Sequence, residues 1–333
     1  MKKFAFLVIP SNTEQLRHYW PLTRIIPDFA LKSFLKTKRS FEVLHLCSHE
    51  NGLEGYIFVL PAVVGNISAA DTDFLLDKIS AAANLAQRMG IKILGTDINI
   101  GLGLERLALK TKKKKPAITC GNAFTAWSIF ESVYRTAKSK DMDLKKSAVC
   151  LSDASTPTAM LAARKFSSYV SRIILNGASK EKLESLKNST QQENSAQIII
   201  EENMEKAAKN ADILIFDETA VAKSSACSLK TGCIICELTP NNCSTNRNHI
   251  HNEISVIKGN IIKLPTEIRC NANFGLPRNT VSSALAETIL LALEGKFVNY
   301  SFGDNINPDK LEEIADIATR HGFEVWLPEA PLL

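Results

Sequence analysis

The stretch SAVCLSDASTPTAMLAARKFSS, residues 147–168, decides the fold class of this chain. Its opening SAVCL is short and largely apolar, which is typical of a buried strand over 147–151. Pro157 and the alanine-rich run behind it predict a helix over 158–168. A strand that leads through a short polar loop into a helix begins a β-α-β unit, so the stretch predicts a parallel sheet.

Strand and helix patterns continue to alternate on the C-terminal side of this stretch. Apolar runs predict strands over 171–175, 212–216 and 232–238, and 204–209 is helical in pattern. Strands spaced in this way pair in parallel through right-handed crossovers. We therefore predict a Rossmann-like, nucleotide-binding parallel-sheet domain over 121–296.

The residues before this domain predict a second α/β domain over 1–120. Apolar runs at 4–9, 41–46 and 56–60 are strand candidates, and apolar residues recur at helical spacing over 75–89. The expected fold class is α/β with two domains, followed by a helical tail over 297–333.

The loop that follows the strand at 147–151 has no glycine. Glycines in a dinucleotide-binding loop allow a tight turn and let the backbone approach the diphosphate. In register with G-x-x-G-x-x-G, the glycine positions carry side chains: Ser152, Ser155 and Thr158.

Part of an anion site remains in this loop. Thr156 can cap the helix, and hydroxyls at 152, 155 and 156 add donors at a helix N-terminus, which attracts phosphate. Asp153 would repel a phosphate. The loop is compatible with two interpretations, a bound dinucleotide and a purely structural turn from strand to helix.

The strand predicted over 171–175 is followed by NGASK, residues 176–180. NAD sites usually carry an acidic residue here for the ribose hydroxyls, and this segment has none. Asn176, Ser179 and Lys180 are the candidate cofactor contacts, and Ser179, Lys180 or Lys182 could meet a 2′-phosphate, so the segment favours NADP(H) over NAD(H). The alternative is that these residues are solvated and begin a helix.

Composition excludes several classes of protein. Forty basic and 35 acidic residues give a net charge of only +5, so no nucleic-acid partner is expected. No stretch reaches the roughly 20 apolar residues of a membrane span. The apolar run in MKKFAFLVIP is short, so no cleavable signal peptide is expected. With cysteines inside apolar runs, these features predict a cytoplasmic location.

Two cysteines, Cys233 and Cys236, lie in the strand-like segment GCIICEL. Residues three apart in a strand point to opposite faces, so both thiolates cannot readily face one ion. We expect a buried strand and no metal site. His249 and His251 lie in the polar segment NRNHIHNE. They are either candidates for acid–base chemistry or ordinary histidines of an exposed loop.

Three further polar segments have two interpretations each. Asp217 and Glu218 follow a predicted strand, where open α/β sheets bind ligands, although ordinary loop polarity also explains them. Asn122 and Thr125 open the second domain and would contact the substrate, unless Asn122 only caps a helix. The lysine run at 112–115 is a solvated loop or a phosphate patch.

Several motifs resemble the acyl-carrier-protein reductases and their bacterial relatives, which make fatty aldehydes from acyl thioesters with NADPH. The resemblance implies a shikimate-dehydrogenase-like Rossmann fold whose C-terminal tail packs back on the N-terminal domain. The motifs are GNAFTAW at 121–127, NFGLP at 273–277, ALAETILLALEGKFVNYSFG at 284–303, RHGFEV at 320–325, FAFLVIP at 4–10 and PLTRIIPDF at 21–29.

The resemblance also implies altered chemistry. The thioester-forming cysteine of these enzymes lies three residues before the glutamate of A-E-T, which is Glu287 here, so its position holds Ala284. Ser282 and Ser283 would not replace it, because one or two helical steps turn them off that face. The family's basic residue after the second nucleotide strand falls at Ala178.

Three functional hypotheses follow from these residues. The first is a divergent NADP(H)-dependent oxidoreductase that does not form a covalent thioester. The second is a non-catalytic relative that binds an acyl chain, an acyl carrier protein or another small molecule. The third is a structural partner of an active paralogue, in a homo- or hetero-oligomer.

Overall fold

The structure is a computed structural model that describes residues 2–10, 12–37, 42–49, 52–63, 72–96, 116–193, 196–216, 229–238, 254–266, 268–270, 275–303 and 306–328. It divides into two compact units. The first draws on residues within 1–121, 265–274 and 284–303, and the second on residues within 122–264, 275–283 and 304–333.

The first unit is built on a six-stranded mixed sheet. Its strands are β1 (Lys2–Val8), β2 (Glu42–His49), β3 (Leu53–Val59), β4 (Ile93–Thr96), β5 (Ala117–Thr119) and β13 (Arg269–Cys270), in the order β13-β2-β3-β1-β4-β5. The central strand β1 pairs in parallel with β3 and β4, and β4 with β5. The strands β2 and β13 are antiparallel additions at one edge.

Helices pack on this sheet. Their apolar residues recur at helical spacing and so form one apolar face that is buried against the strands. Ile79, Ala82, Ala83 and Ala86 lie on one helix face and pack into a core cluster with residues such as Phe58. The helices are α1 (Thr13–Tyr19), α2 (Asp28–Thr37), α3 (Thr72–Arg88) and α8 (Ser283–Glu294), whose first residue is grouped with the second unit.

The second unit contains a six-stranded, fully parallel sheet. Its strands are β6 (Ala148–Leu151), β7 (Arg172–Leu175), β8 (Gln197–Ile200), β9 (Ile213–Phe216), β10 (Ile234–Glu237) and β11 (Ser255–Lys258), in the order β11-β10-β9-β6-β7-β8. All neighbouring pairs are parallel. From β6 the chain builds outward in one direction through β7 and β8, then in the other through β9, β10 and β11. This is the doubly wound Rossmann order, so the predicted α/β fold class is confirmed.

Among the described residues, the second unit also contains five α-helices and a small antiparallel sheet. The helices are α4 (Asn122–Ser139), α5 (Pro157–Ser167), α6 (Lys180–Glu193), α7 (Met204–Lys209) and α9 (Asp309–Arg320). The small sheet has the order β14-β12-β15, formed by β12 (Ile261–Lys263), β14 (Thr280–Ser282) and β15 (Glu324–Val325).

The C-terminal residues are divided between the two units. Residues 284–303 are grouped with the first unit, whereas 304–333 are grouped with the second. The helix α9 packs on α4 through a buried face that includes Leu311 and Ile314, and Glu312 pairs with Lys165 of α5 at 2.5 Å. An amphipathic helix must bury its apolar face, and α4 receives it here.

Across the residues that the structure describes, none of the helices is both long enough and apolar enough to cross a membrane.

Candidate functional site

The candidate site lies where the strand order of the parallel sheet reverses, at the end of β6. The Ser152 amide donates to the Ile215 carbonyl at 2.9 Å, and the Asn176 amide donates to the Leu151 carbonyl at 3.0 Å. The loop over 152–158 therefore leaves the sheet between β7 and β9. Ligands of open α/β sheets bind at this reversal point.

The loop closes without glycine at the predicted glycine positions. Within it, only Asp153 has a left-handed backbone, with φ of +48°. Ser152, Ser155 and Thr158 have negative φ, so the turn demands no glycine at those positions. The side chains at these three glycine positions therefore change the groups that the loop presents to a ligand, but they do not prevent the loop from forming.

Internal hydrogen bonds hold the loop in place. The Ala154 amide donates to the Asn176 carbonyl at 2.8 Å, and the Thr156 amide donates to the Asp153 carbonyl at 3.1 Å. The Ser155 hydroxyl donates to the Asp153 carboxylate at 2.9 Å. The Thr156 hydroxyl caps α5 by accepting from the Ala159 amide at 3.4 Å. Thr156 thus has the predicted capping role, and the Ser155 hydroxyl is bound to Asp153.

Some donors of the loop are still available for an anion. The Ser152 hydroxyl is buried and makes no hydrogen bond, and the Ser155 and Thr158 amides donate to no acceptor within the described ranges. A buried hydroxyl without a partner usually marks a place where another group completes the bonding. The residues therefore fit the diphosphate of a dinucleotide, although the Asp153 carboxylate opposes its charge.

Gly177, which follows strand β7, lets the segment after this strand approach the loop over 152–158. A Cβ at Gly177 would lie 3.2 Å from the Ala154 nitrogen and 3.3 Å from both the nitrogen and the hydroxyl of Ser155. The φ of Gly177 is not left-handed, so it is the limited space and not the backbone conformation that favours a glycine here. The segment after β7 is thereby packed directly on the loop.

The predicted cofactor contacts after β7 are partly engaged in other bonds. The Asn176 side-chain amide donates to the carbonyls of Glu201 and Glu202 at 2.7 and 3.1 Å, which joins the ends of β7 and β8. The exposed Lys180 ammonium lies 3.7 Å from the Glu202 carboxylate. The Ser179 carbonyl accepts from the Leu183 amide at 3.0 Å in the first turn of α6. Lys180 can turn to a ligand by leaving a weak surface ion pair, and the Ser179 hydroxyl takes no part in the bond to Leu183.

Asn122 and Thr125, the predicted substrate contacts, hydrogen-bond within the second unit. The Thr158 hydroxyl donates to the Asn122 side-chain oxygen at 2.7 Å. The Thr125 and Ser283 hydroxyls are 2.7 Å apart. The bond between Thr158 and Asn122 joins the loop over 152–158 to the start of α4. A predicted cofactor contact and a predicted substrate contact are therefore hydrogen-bonded to each other.

Ala284, at the position of the family nucleophile, is packed against Gly121 in the first unit. A Cβ at Gly121 would overlap both Cα and Cβ of Ala284, and the φ of Gly121 is +74°. Ala284 is only 7% exposed. The methyl group at this position is thus part of a close contact between β5 and α8.

A buried glutamate one helical turn further on was not singled out by the residue patterns. Glu287 accepts hydrogen bonds from the hydroxyls of Thr119 and Ser301, the latter at 2.5 Å. The sequence feature that could have identified Glu287 is that it is the only charged residue in the apolar run ALAETILLAL. The group joins β5, α8 and the segment after α8 in one polar network.

Four cysteines among the described residues, Cys120, Cys150, Cys233 and Cys236, are free and buried. Cys120 packs in the core cluster with Ile118 and Ala86. Burial, followed by the proximity of Cys233, raises the pKa of the Cys150 thiol to about 12, and burial raises the pKa of Cys233 to about 12. Such thiols remain protonated and unreactive at neutral pH.

The two cysteines of GCIICEL lie in different surroundings. Cys233 belongs to the same core cluster as Cys150, and Cys236 does not. The Cys236 sulfur lies so close to Gly259 that a Cβ on this glycine would overlap it. Within the described ranges, no three His, Cys, Asp or Glu side chains are grouped closely enough to hold a metal ion. Other candidates lie outside the described residues: Asp217, Glu218, His249, His251 and the lysine run at 112–115.

Comparison with known proteins gives one informative relative. No protein-family model matches the chain. The chain is 27% identical over 266 residues to the long-chain acyl-(acyl-carrier-protein) reductase of Synechococcus elongatus, covering 74% of this chain and 75% of that protein.

Solved structures are more distant. L-tryptophan dehydrogenase from Nostoc punctiforme has 11% identity and a TM-score of 0.44, with 96% of this chain and 80% of that chain covered. Shikimate 5-dehydrogenase from Listeria monocytogenes has 9% identity and a TM-score of 0.38, with 78% and 86% covered. Neither similarity is close enough to transfer a residue or a ligand. The sequence comparison confirms the resemblance that the motifs indicate, since the chain shows weak homology to a long-chain acyl-(acyl-carrier-protein) reductase.

Proposed function

We propose that this chain binds NADP(H) at the loop over 152–158 and acts as an oxidoreductase that forms no covalent thioester. The observation that carries the proposal is the buried Ser152 hydroxyl, which has no partner at the reversal point of a Rossmann sheet. The relationship to a reductase of acyl thioesters supports an oxidoreductase role.

The chain's own residues would hold the cofactor in a defined way. The Ser152 hydroxyl and the Ser155 and Thr158 amides would bind the diphosphate at the N-terminus of α5, where the helix dipole favours negative charge. Lys180 would leave Glu202 to meet a 2′-phosphate. When bound, NADP(H) supplies or accepts a hydride.

The substrate expected for this site is a carbonyl compound of acyl type, either free or presented on a carrier protein. Ala284 offers no sulfur for an acyl-enzyme, and Cys120 lies in an apolar core. Hydride exchange would therefore take place directly with a bound, non-covalent substrate. Weak cofactor binding is expected because the Asp153 carboxylate lies in the loop.

Titration of the purified protein with NADPH and NADH, followed by nicotinamide fluorescence and calorimetry, tests the proposal. We expect saturable binding with NADPH preferred, and Ser152→Ala should weaken it about tenfold by removing a buried donor. Ser132→Ala is the matched control, because its buried hydroxyl also lacks a partner but lies on α4. Absence of any response at millimolar cofactor would reject the proposal.

A second candidate function is favoured by the contact between Ala284 and Gly121. This contact fills the nucleophile position with packed atoms, which suits a non-catalytic relative that binds an acyl chain or a carrier protein. Native mass spectrometry with acyl-coenzyme A and acyl carrier protein would detect such binding. Measurable turnover of any acyl thioester or aldehyde would eliminate this candidate.

A further inference from the structure

A buried ion pair lies at the carboxyl end of the parallel sheet, apart from the loop described above. Glu237 and Lys258 are the last residues of β10 and β11 and are paired neighbours in the strand register. The Lys258 ammonium lies 2.6 Å from Oε2 of Glu237. The two residues are only 3% and 8% exposed.

One oxygen of this carboxylate has no partner. Oε1 of Glu237 is buried and accepts no hydrogen bond from any described residue. Buried acceptors are almost always satisfied in folded proteins, so an exception requires a donor from a ligand, an ion or water. A charged acceptor is the costliest kind to leave unpaired.

The position of the pair indicates which ligand group supplies this donor. A dinucleotide lies across the reversal point of a doubly wound sheet, with one nucleotide on each half. The candidate 2′-phosphate contacts follow β7, so the adenosine lies on the side of β7 and β8. The nicotinamide half then lies on the side of β9 and β10, and β10 ends at Glu237.

We infer that Oε1 of Glu237 accepts a hydrogen bond from the carboxamide of the nicotinamide ring. This inference rests on the proposed binding of NADP(H). Lys258 neutralises the carboxylate, so the pair as a whole suits a neutral N–H donor better than a cationic one. The carboxamide has such a donor, and Glu237 thereby determines specificity for the ring substituent.

A ligand analogue tests the inference on the unaltered protein. In the 3-acetylpyridine analogue of NADP⁺, a methyl group replaces the amide nitrogen, so the donor is lost while the rest of the ligand is kept. We expect calorimetry to give a dissociation constant at least about tenfold higher for the analogue than for NADP⁺. 2′-Phospho-ADP-ribose, which lacks the ring, is the reference for the adenosine half.

A double variant shows whether Glu237 is the acceptor. Glu237→Leu with Lys258→Met replaces the pair by apolar side chains of similar size, which avoids leaving a lone buried charge and a chain that does not fold. We expect it to bind NADP⁺ and the analogue equally, with the affinity for 2′-phospho-ADP-ribose unchanged. Lys230→Met, which breaks the Asp212–Lys230 pair at the opposite end of these strands, should retain the preference for NADP⁺.

The outcomes separate this inference from the proposed function. If NADP⁺ and its analogue bind the unaltered protein equally, or the double variant keeps the preference, the inference is wrong while NADP(H) binding stands. The same holds if a crystal structure with NADP⁺ shows only a water on Oε1 of Glu237. If none of the three ligands binds, the proposed function fails and the inference fails with it.

Discussion

Ala284 packs closely against Gly121 within the first unit, so that position 121 has no room for a side chain without movement. A Cβ at 121 would overlap Cα and Cβ of Ala284. Gly121 also adopts a left-handed φ of +74° that side chains disfavour. The position that the resemblance assigns to the nucleophile therefore lies in a close contact of this unit.

Gly121→Ala should destabilise the protein strongly. The backbone strain and the overlap with Ala284 together should cost about 3 kcal/mol or more of unfolding free energy, measured by urea denaturation. Gly90→Ala is the matched control, since its φ is +72° but a Cβ there would have nothing within 4 Å. The control should lose only about 1 kcal/mol. Equal losses in the two variants would show that the contact with Ala284 is unimportant.

Ala284→Cys should not recover acyl-thioester reduction. The new sulfur would enter a 7% exposed position beside Gly121, and the altered loop at 152–158 would remain. Intact-protein mass spectrometry with acyl-coenzyme A should show no acyl adduct, and NADPH consumption should stay at the level of the unaltered protein. An adduct at residue 284 together with aldehyde release would contradict the argument from packing.

Removing the charge of Asp153 should strengthen cofactor binding. Asp153→Asn keeps a residue that tolerates the left-handed φ of +48° and an oxygen for the Ser155 hydroxyl, while it removes repulsion of the diphosphate. We expect NADPH to bind about threefold to tenfold more tightly by fluorescence titration. Asp141→Asn is the control, because Asp141 has a φ of +53° but lies in the turn after α4. An unchanged affinity for Asp153→Asn would mean that the diphosphate does not lie at this loop.

The hydrogen bond between Thr158 and Asn122 should contribute measurably to stability. Thr158→Val keeps the shape but removes the donor at 2.7 Å, so a loss of about 1 kcal/mol is expected in thermal or urea unfolding. Thr190→Val is its counterpart, because the buried Thr190 hydroxyl makes no hydrogen bond. That substitution should be neutral or slightly stabilising. A neutral result at 158 would mean that the contact to α4 does not hold the loop.

Stability should fall at alkaline pH because of Cys150. Burial raises the pKa of this thiol from 9.0 in the unfolded chain to about 12. Below pH 9 both states hold the proton and the stabilisation is fully present. Between pH 9 and 12 only the unfolded chain releases it, so the unfolding free energy falls by up to about 1.4 kcal/mol per pH unit.

A pair of variants isolates this contribution. Cys150→Ala should show a shallower decline between pH 9 and 10.5 than the unaltered protein, measured by urea unfolding at each pH. Val149→Ala removes a buried side chain from the same strand without removing a titrating group, so its decline should parallel that of the unaltered protein. Identical declines for all three proteins would show that Cys150 does not titrate as described.

The parallel sheet could be predicted because its strands are buried on both faces. The strand predicted over 147–151 and the helix over 158–168 appear as β6 and α5 within one residue at each end. The start of helix α6 was expected only as one of two interpretations of residues 176–180, because its sequence KEKLESLKNSTQQE has few apolar residues, and Leu183 and Leu186 supply most of its buried face. This helix has too few apolar residues for their spacing to indicate a helix from the sequence.

The candidate site could be predicted only in outline. The place of the loop and the capping by Thr156 follow from the order of residues along the chain. The unpartnered oxygens of Ser152 and Glu237 depend on what surrounds them after folding, which no local pattern records. The short strands β12, β14 and β15 likewise form only by pairing between distant segments, since two or three residues carry no periodic signal.

The strand order of the small antiparallel sheet has a consequence for how the chain matures. β12 receives one neighbour from residues 280–282 and the other from Glu324–Val325. A ribosome must therefore synthesise the polypeptide to residue 325 before this sheet can be completed, and until then one edge of β12 is open to other nascent chains. A chain shortened to end before residue 324 would leave this edge of β12 unpaired.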